Sequence, residues 1–508
     1  MKIKGLTFLA SILPLLFGCT VITPKSSSSW QSSSTSSSYQ PATPAVIADG
    51  VYNFYGINDF HGSITEQTPG YYEAGIAKYF GKLKSLKEAD PEHTIIISAG
   101  DMWQGSLESN SNYCELVTKA MNLVGFDAMT LGNHEFDYGQ ERLLANEKLA
   151  QFPFLGGNIM KYDGHTTDEP WNDAIKASTI IERGGTKIGI VGMIGYGQTT
   201  SITSSYVQDI DFVEPHHLAA AECKRLRDEE GCGLVIYSYH DDASTCSGAD
   251  LTSSGLFNGV FCGHAHAMNN TMANGVPFVQ SYCNGEAISH FQITIQSGIA
   301  TCTRHGLLRS EDDWEEDEEI ATLRDEYILD EAFVAKASAV AGTVQGTLYA
   351  KEGVSNLGAK AIYEKYRSVN EDVVCAIENG QRASLTGTIT YHDIYRASPF
   401  MNKIVIAKVL GSEIENEARY ASCYRGDRGR FISSVTYTIA CIDYVLYHQN
   451  EQKRYDYFPS LNEKFDSKII AEYEDFPFDI AFDYIKDDLQ GVVLASDYTD
   501  SSPGFGNR

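Results

Sequence analysis

Five separated apolar runs of this sequence each end in side chains that can bind a metal ion. The motifs at these ends are Asn58-Asp59-Phe60-His61, Gly100-Asp101, Gly132-Asn133-His134, Tyr239-His240 and Gly263-His264-Ala265-His266. Oxygen and imidazole donors gathered from many strand ends suit a catalytic pair of divalent ions, because a sheet then holds the cage in place. Unpaired polar groups at buried strand ends are costly, and a shared ion would satisfy them. The pattern therefore predicts a two-metal hydrolase.

The spacing inside two of the motifs predicts which donors face a common ion. In an extended segment, residues two positions apart point to the same side. Asp59 and His61 would then form one pair of donors, and His264 and His266 would form another. Extended backbone at both motifs is therefore part of the prediction.

Three further donors follow other apolar runs. Asp101 comes after the apolar residues 94–99, and a carboxylate there can bridge two ions with its two oxygens. Asn133 would add a neutral oxygen, and His240 would add an imidazole. A single histidine beside a strand is more often structural than a ligand, so the prediction depends on all of the donors together.

The elements that must position these donors alternate between short β-rich runs and helical stretches from Val51 to about Arg309. Near-continuous apolar strands indicate sheets that are covered on both faces. We therefore expect a layered α/β sandwich with its loops gathered at one edge. The predicted strands are residues 94–98, 128–131, 187–193, 234–239 and 259–262, and the predicted helices are residues 76–89, 113–124, 140–149 and 217–229.

Four motifs together resemble the signature blocks of the calcineurin-like metallophosphoesterases. The resemblance is closest to the secreted 5′-nucleotidase and UDP-sugar hydrolase branch, and it extends over nearly all of the chain after residue 48. It implies a four-layer α/β/β/α metallophosphoesterase sandwich followed by a smaller α/β C-terminal substrate-binding domain. The blocks that carry it are residues 58–61, 100–106, 132–137 and 263–266.

By that resemblance the chain binds two divalent cations, Zn²⁺ or Mn²⁺, that share Asp101. Asp59, His61, Asp101 and His266 would hold one ion, and Asp101, Asn133, His240 and His264 would hold the other. Two such ions and two aspartates leave a local charge of about +2, which would attract phosphate into an otherwise anionic protein. The ions would lower the pKa of a water and direct the resulting hydroxide in line at phosphorus.

His134 and Asp137 match a family dyad in which the Asp orients the imidazole that stabilises the phosphoryl transition state. The alternative is that His134 only supports its neighbour, the ligand Asn133. The sequence departs from the family pattern directly after the predicted ligand His240. Asp241 and Asp242 follow His240, where the family has a small apolar residue and Gly; these carboxylates could weaken phosphate binding or orient His240.

Residues 379–382 and 398–402 resemble the family's C-terminal substrate-binding module. Arg382 matches an Arg whose guanidinium contacts substrate phosphate, a role that suits a planar fork of donors. The alternative is a surface Arg with no ligand.

Phe431 and Tyr444 are the nearest equivalents of two family aromatics that stack the nucleobase. The fit is partial, because the segment between them is shorter than in the family and Tyr447-His448-Gln449-Asn450 replaces the Gly-Gly-Asp that normally follows. Ordinary core aromatics are the alternative. By the same resemblance, the two domains would rotate about a hinge between open and closed states.

The N-terminus predicts export. Lys2 and Lys4 precede apolar residues 6–17, which are too few to span a bilayer comfortably. The ending Leu16-Phe17-Gly18-Cys19 resembles the lipobox of bacterial lipoproteins, in which the Cys is acylated after cleavage. An ordinary cleaved signal and a short anchor helix are the alternatives. We expect an extracytoplasmic protein that is anchored to the cell membrane or outer membrane through lipidated Cys19.

Length and charge set further bounds. At 508 residues the chain exceeds the size that one hydrophobic core usually reaches, so more than one domain is expected. The predicted segments are a signal peptide (1–18), a Ser-rich tether (19–48), a metallophosphoesterase domain (49–309), an interdomain helical linker (310–341) and a substrate-binding domain (342–508).

The net charge of −28 argues against a nucleic-acid polymer as partner, because a polyanion would be repelled. Without Cys19 the eleven cysteines leave an even set, in which Cys223 and Cys232 are close enough to pair, although reduced buried cysteines remain equally open.

These observations favour an extracellular phosphohydrolase that releases phosphate from nucleoside 5′-monophosphates, with UDP-sugars as further candidate substrates. Two alternatives stay open. One is a cyclic-nucleotide phosphodiesterase on the same metals, and the other is a surface-displayed binding lipoprotein that has lost turnover. The sequence leaves the oligomeric state open.

Overall fold

The computed structural model describes residues 43–66, 73–246, 251, 255–309 and 314–505. The signal peptide (1–18), Cys19 and most of the Ser-rich tether lie outside the described residues, so their assignments stay predictions. Within these ranges the longest helix has 15 residues, and none combines the length and hydropathy needed to cross a bilayer.

The described part of the first domain contains fifteen strands. They are β1 (Gly50–Ile57), β2 (Thr94–Ser98), β3 (Ala128–Thr130), β4 (Phe154–Leu155), β5 (Ile159–Tyr162), β6 (Thr166–Pro170), β7 (Ser178–Arg183), β8 (Thr186–Ile194), β9 (Ile210–Phe212), β10 (Leu234–His240), β11 (Gly259–Cys262), β12 (Met268–Ala273), β13 (Val276–Ser281), β14 (Ala287–Gln296) and β15 (Ile299–Arg309). Helices and 3-10 turns lie between them. They are α1 (Ile76–Ala89), α2 (Leu107–Asn110), α3 (Glu115–Val124), α4 (Gly139–Leu149), α5 (Pro215–Asp228) and α6 (Ala243–Cys246), with 3-10 turns at His134–Phe136, Gln198–Ser201 and Ser204–Tyr206.

Two six-stranded sheets carry the predicted donors. The first has the order β15-β14-β1-β2-β3-β4, and the second has the order β12-β13-β11-β10-β8-β7. Strands β1, β2 and β3 are parallel neighbours in the first sheet, and β10 and β11 are parallel neighbours in the second. The carboxyl ends of these five strands, where the donor motifs stand, therefore lie at one edge of each sheet. A separate small sheet is formed by β6, β5 and β9.

The two sheets pack face to face with helices outside them. Between the sheets lie apolar side chains of both, such as Ile97 and Phe261. Helices α1 and α3 cover the outer face of the first sheet, and α5 covers the outer face of the second. The predicted four-layer α/β/β/α sandwich is therefore confirmed. Fully buried strands such as β2, which is Thr-Ile-Ile-Ile-Ser, fit this position because β-branched side chains pack well on both faces of a covered sheet.

Local sequence signals fix several helix ends. The Glu214 side chain accepts hydrogen bonds from two backbone N–H groups at the start of α5, and Pro215 occupies the first turn. Helix α3 ends at Gly125, whose φ of 74° is the left-handed conformation that Gly adopts most easily. The predicted helix at residues 76–89 agrees with α1 at both ends.

The last residues of the predicted tether already contact the first domain. The tether was expected to continue to residue 48, but from Thr43 onward the chain hydrogen-bonds to the first domain. The backbone N–H of Thr43 donates to Asp228 O at 2.8 Å, and that of Val46 donates to Gly231 O at 2.8 Å. Apolar Val46 and Ile47 give this short segment contacts that a Ser-rich run lacks, since Ile47 packs on the core between the sheets.

Two helices connect the domains, α7 (Glu318–Ile328) and α8 (Glu331–Ala337). Asp317 caps the start of α7, and Ile320 is buried against the core of the first domain. Residues 311–313 of the acidic stretch lie outside the described residues. The predicted linker helix therefore exists, and its apolar side packs on the first domain as its periodicity indicated.

The second domain combines a three-stranded sheet, β18-β16-β23, with a five-stranded sheet, β20-β17-β21-β19-β22. Its strands are β16 (Val340–Leu348), β17 (Val373–Glu378), β18 (Leu385–Thr390), β19 (Ile404–Leu410), β20 (Ser422–Tyr424), β21 (Thr436–Ile442), β22 (Ile469–Tyr473) and β23 (Val492–Leu494). Its helices are α9 (Ser355–Val369), α10 (Tyr391–Ala397), α11 (Gly411–Glu417), α12 (Asp443–Leu446), α13 (Phe465–Lys468) and α14 (Pro477–Asp483), with π turns at Ala350–Val354 and Tyr484–Asp488 and 3-10 turns at Pro459–Asn462 and Ala495–Tyr498.

All ten cysteines of the described residues are free thiols, and nine of them are buried. The Cys223 thiol hydrogen-bonds to Leu256 O at 3.0 Å rather than bonding to Cys232. Of the two interpretations open from the sequence, the structure has the reduced one.

Candidate functional site

The five donor motifs converge where the two sheets meet. The converging side chains form three groups whose ligand atoms lie within 4.8 Å of one another: Asp59, His61 and His266; His61, Asp101 and His134; and Asp101, His240 and His264. Asn133, the seventh predicted metal ligand, hydrogen-bonds to two of these histidines, so all seven come together. Parallel strand ends bring distant parts of the chain to one place, as the sequence predicted.

The backbone at these motifs differs from the prediction. Asp59 and His61 have φ angles of 49° and 50°, and His264 and His266 have φ angles of 67° and 46°. The segments are therefore not extended, and each pair of donors converges through left-handed residues instead. Non-glycine residues rarely adopt this conformation, and it persists where surrounding contacts determine it. Asp101 shares it, with a φ of 55°.

One candidate ion position lies among Asp59, His61 and His266. His61 Nε2 lies 2.8 Å from His266 Nε2, and Asp59 Oδ1 lies 3.6 Å from His266 Nε2 and 3.9 Å from His61 Nε2. The Asp59 carboxylate is held from behind, because it accepts the backbone N–H of His264 and the side-chain amide of Asn58. These atoms can face one common cation.

The second candidate position lies among Asp101, Asn133, His240 and His264. His240 Nε2 is 3.3 Å from Asp101 Oδ2 and 3.2 Å from Asn133 Oδ1. His264 Nδ1 is 2.9 Å from the same Asn133 oxygen. Asp101 also belongs to the group that contains His61, so its carboxylate stands between the two positions.

The hydrogen bonds of two histidines show that the donor set fits cations. His61 Nδ1 lies 2.8 Å from Gln104 O, and His240 Nδ1 lies 2.7 Å from Ala99 O. A carbonyl oxygen can only accept, so Nδ1 carries a proton in both rings and Nε2 points to the centre. At His240, Nε2 faces two acceptor oxygens, so a proton on Nε2 satisfies them in the absence of metal and a divalent cation would take the place of that proton.

The electrostatics of the centre favour added positive charge. Burial, reinforced by the charge of Asp101, raises the pKa of Asp59 to about 7. Burial also lowers the pKa of His61 well below its ordinary value and that of His266 to about 4, so both imidazoles are neutral, as metal ligands are. At His240 burial is outweighed by Asp101, which raises the pKa to about 10. The two buried carboxylates form no ion pair with a Lys or Arg of the described residues, so they attract a cation of another kind.

Glu135 is a site residue that sequence reasoning missed. Its buried carboxylate accepts three backbone N–H groups, from Asp101 (2.9 Å), Met102 (2.8 Å) and Gly132 (2.7 Å). It thereby joins the loop after β2, which carries Asp101, to the loop after β3, which carries Asn133. Its place inside the motif 132–137 was the available signal.

The predicted dyad is present. His134 opens a 3-10 turn, and its Nδ1 lies 2.6 Å from Asp137 Oδ2. Burial lowers the pKa of His134, but the charges of Asp137 and Asp101 outweigh it and raise the pKa to about 9. The backbone N–H of His134 also donates to Asp101 Oδ1 at 2.9 Å. His134 therefore contacts both the predicted orienting residue and the central carboxylate.

The two aspartates after His240 stand outside the donor groups of the described residues. Asp241 Oδ1 accepts the backbone N–H of Asp242 at 2.7 Å, and the Asp241 carboxylate packs against Gly195. His240 is oriented by Ala99 O rather than by either aspartate.

A cavity of about 550 Å³ opens beside the metal centre and separates it from the second domain. On one side it is lined by Asn133, His134, Asp137 and His264 of the first domain. The opposite side includes Arg382, Phe400, Tyr420 and Tyr444 of the second domain. A polar centre of the first domain and cationic and aromatic side chains of the second domain thus line the same cavity.

Arg382 stands where the sequence predicted it. Its guanidinium lies 5.2 Å from the centre of the Phe400 ring, and its backbone N–H donates to Ala397 O at 2.9 Å. Its charge lowers the pKa of His266 after the larger effect of burial, so the guanidinium acts on the metal centre through the cavity.

Only one of the two predicted base-stacking aromatics lines the cavity. Tyr444 does, whereas Phe431 is buried in the core of the second domain, where it packs against Tyr437 at 4.8 Å and under the Arg425 guanidinium. The assignment of Phe431 to the clamp is therefore not supported, because its ring is covered by its own domain. Phe400 and Tyr420, the latter 71% exposed, are further aromatic residues of the second domain that line the cavity, and the sequence analysis assigned neither to the clamp.

The two domains meet beside the metal centre as well. Gln104, whose carbonyl binds His61, donates its side-chain amide to Pro399 O at 2.9 Å. In helix α2, Glu108 Oε1 lies 3.0 Å from His392 Nε2 of α10. The loop after β2 therefore connects a metal ligand directly to the residues that precede Phe400.

Comparison with known families gives two matches. Residues 52–268 match the calcineurin-like phosphoesterases, and residues 334–440 match the C-terminal domain of 5′-nucleotidases. The two matches divide the chain at the linker helices.

Two curated relatives show how far the similarity extends. An apyrase of Tabanus yao is 32% identical over 219 residues, which is 42% of this chain and 38% of the apyrase. Protein UshA of Yersinia enterocolitica is 24% identical over 427 residues, which is 74% of this chain and 76% of that protein. Among solved structures, a 5′-nucleotidase precursor from Thermus thermophilus superposes with a TM-score of 0.70 at 18% identity, covering 87% of this chain and 97% of that one. At this identity the likeness concerns the fold.

Proposed function

Because this chain belongs to the 5′-nucleotidase family of calcineurin-like phosphoesterases with a C-terminal 5′-nucleotidase domain, we propose that it cleaves nucleoside 5′-monophosphates to nucleoside and phosphate. The chain is a hydrolase of the 5′-nucleotidase and UDP-sugar hydrolase type. The preference for a monophosphate, the mechanism and the extracellular location are the parts that we propose here.

The observation that carries this proposal is the position of the cavity. Its walls bring His134 and the metal ligands of one domain opposite Arg382 and Tyr444 of the other. A nucleotide has a dianionic phosphate at one end and an aromatic base at the other. The cavity offers partners for both ends, cations for the phosphate and rings for the base.

The seven donors, with Asp101 between the two positions, would hold two divalent ions, which would supply positive charge to the phosphate and activate a water for attack on phosphorus. The Asp137 carboxylate accepts a hydrogen bond from Nδ1–H of His134 and so holds the imidazole in one orientation. The remaining His134 nitrogen, Nε2, would donate to a phosphoryl oxygen as charge builds there in the transition state. Arg382 would bind the phosphate from the other wall through its guanidinium.

The aromatic side chains of the second domain would receive the base. Tyr444 and Tyr420 both line the cavity, and the exposed ring of Tyr420 can stack on a base without first losing a packing partner. In this proposal Tyr420 takes the place that the sequence assigned to Phe431.

The test uses the purified full chain, stripped with chelator and then supplied with Mn²⁺ or Zn²⁺. Phosphate release is measured from AMP, UDP-glucose and cyclic AMP. We expect metal-dependent release from AMP. Cleavage of the cyclic nucleotide alone would replace the proposal with a phosphodiesterase, and binding of AMP without any turnover would replace it with a binding protein.

We also propose that the protein is held outside the cytoplasm by a lipid on Cys19, on the basis of the sequence Leu16-Phe17-Gly18-Cys19. Metabolic labelling with a fatty acid should mark the wild-type chain in the membrane fraction. A Cys19→Ser variant should be unlabelled and released. Equal labelling of both chains would refute the anchor.

A further inference from the structure

The segment after Tyr444 departs most from the resemblance to the family, and the structure gives it a defined shape. Residues 447–457, here named the strap, fold back on themselves through a bridge between Gln449 and Tyr455. The backbone N–H of Asn450 donates to Arg454 O at 3.0 Å, and the His448 ring stacks on Tyr457 with centroids 3.8 Å apart. The strap is therefore an ordered turn of the second domain.

The strap binds the first domain through Lys453. The Lys453 ammonium donates to Ile210 O at 2.8 Å and to Val207 O at 3.3 Å, and it lies 5.5 Å from the centre of the Tyr162 ring. Next to it, Ser204 Oγ donates to Tyr447 O at 2.7 Å. The Tyr196 hydroxyl also donates to Glu451 Oε2 at 3.5 Å, so five contacts cross between the domains within this short segment.

Lys453 is held in an unfavourable environment by these contacts. Burial lowers the pKa of its ammonium, although Asp211 and Asp209 oppose this effect. Its backbone φ of 55° is in the left-handed region, which a lysine seldom adopts. Conformations of this kind persist when surrounding contacts outweigh their cost, and they concentrate near functional sites.

The strap contacts a segment of the first domain, residues 204–210, that adjoins the lining of the cavity. Ser201, Thr203 and Tyr206 line the cavity, and they flank Ser204 and precede Val207. Tyr444, on the opposite side of the same space, lies just before the strap in the chain. The strap therefore connects the segments that carry these two walls.

We propose that Lys453 is a positioning residue for nucleotide binding, which it serves by holding residues 201–206 of the first domain against the Tyr444 side of the cavity. This inference rests on the proposed function, because it assumes that the cavity receives a nucleoside. Lys453 itself does not line the cavity and acts through the wall that it holds. A strap of this kind must also open if the two domains rotate.

A purely structural Lys453 would affect all substrates alike, whereas a positioning residue affects those that fill the cavity. The variant is Lys453→Met, which keeps the length of the side chain and removes the donor. Lys464→Met is the matched control, because Lys464 is an exposed lysine of the same domain with a φ of 57°. Any cost of placing Met in left-handed backbone is then the same in both variants.

The kinetic test compares AMP with p-nitrophenyl phosphate, which carries no base. For Lys453→Met we expect KM for AMP to rise about tenfold with kcat nearly unchanged, while the constants for p-nitrophenyl phosphate stay as in the wild type. Lys453→Arg should restore most of the affinity, since a guanidinium can donate to both carbonyls. Equal losses on both substrates, no change in either, or the same effect from Lys464→Met would overturn the proposal.

A second measurement does not depend on turnover. Hydrogen exchange of the backbone amides in residues 198–210 should become faster in Lys453→Met and stay unchanged in Lys464→Met, because the first variant alone releases that wall. Unchanged exchange in Lys453→Met would overturn the inference even if the enzyme is active. A wild-type chain that cleaves p-nitrophenyl phosphate but neither binds nor cleaves a nucleotide would instead refute the proposed function.

Discussion

The metal centre and the opposite wall of the cavity differ in how their side chains are held. Asp101 is 1% exposed, stands at the end of a buried strand and contacts several groups of its own domain. Tyr420 is 71% exposed and follows a short helix of the second domain. The centre is enclosed by one domain, whereas the wall depends on how a second domain is placed against it.

The rigid centre and the more exposed wall suit two different tasks, phosphoryl transfer and recognition of the base. Phosphoryl transfer depends on donors held within fractions of an ångström, which buried strand ends can provide. Recognition of a base tolerates more freedom, because stacking on an exposed ring accommodates several bases. Substitutions at the centre should therefore change kcat and metal content, and substitutions at the wall should change KM.

The largest effect is expected from removal of the carboxylate that lies between the two ion positions. Asp101→Ala should lower kcat by about a thousandfold or more, because it takes a ligand from both positions. Elemental analysis should show the loss of bound metal as well. Asp168→Ala, on the exposed strand β6, serves as the control. Wild-type metal content and activity in Asp101→Ala would remove the bridging role.

Substitution of the dyad should separate chemistry from metal binding inside the same region. His134→Ala should lower kcat by about a hundredfold while the metal content stays as in the wild type, since His134 is not one of the seven predicted ligands. Asp137→Asn should have a smaller effect, because it keeps the imidazole and changes only its hydrogen bond. Loss of metal in His134→Ala would show that it is a ligand instead.

On the opposite wall, Arg382→Lys should raise KM for AMP about tenfold with a smaller effect on kcat. Lys keeps the charge but presents no planar fork to the phosphate. Steady-state kinetics on AMP measure both constants. A larger effect on kcat than on KM would place Arg382 with the metal centre rather than with the wall.

Tyr420, which lines the cavity, and Phe431, which is buried in the core of the second domain, can be distinguished in one experiment. Tyr420→Ala should raise KM for AMP about fivefold through lost stacking, with no change in Tm. Phe431→Ala should instead lower the free energy of unfolding by about 3 kcal/mol, because it empties a buried position. Interchanged results would return Phe431 to the cavity.

The smallest effect concerns Glu378, which is buried at the end of β17, just before the cavity residues 379–382. Burial raises the pKa of its carboxyl from 4.5 to about 8. Between these values the unfolded chain releases a proton that the folded chain keeps, so this group lowers stability as pH rises.

Glu378→Gln should accordingly raise Tm by about 2 °C at pH 8 and leave it nearly unchanged at pH 5. Thermal unfolding followed by circular dichroism measures the difference. The exposed Glu364→Gln should show no such dependence on pH. A larger gain at pH 5 than at pH 8 would contradict the assignment.

The centre could be predicted from the sequence because its donors are attached to strands. Apolar runs identify β2, β10 and β11, and the carboxyl ends of the parallel neighbours β10 and β11 meet at one edge, which brings His240 and His264 together. Asp101, at the end of β2 in the other sheet, joins them because the two sheets pack face to face. The local backbone could not be predicted in the same way. The left-handed φ angles of Asp59 and His61 arise from contacts with loops that follow other strands.

The aromatic side chains that line the cavity could not be predicted from the sequence, for a different reason. Whether the ring of Phe431 or that of Tyr420 reaches the cavity depends on how loops of the second domain pack on each other and on the first domain. Neither residue has a periodic pattern around it that indicates its direction. The role of Lys453 depends on two carbonyl groups more than 240 residues away, and no motif in the sequence marks them.

The separation of the donors along the chain has a consequence for biogenesis. Asp59 follows the first strand of its domain, whereas His264 and His266 follow the eleventh, and the two belong to opposite sheets. Contacts between such remote segments form late in folding, because the entropy cost of closing a long loop precedes the favourable energy of the contacts. A nascent polypeptide therefore lacks the full set of donors until residue 266 has been made, when nearly the whole first domain is present. Metal loading would then follow closure of this domain, in the compartment where the domain folds.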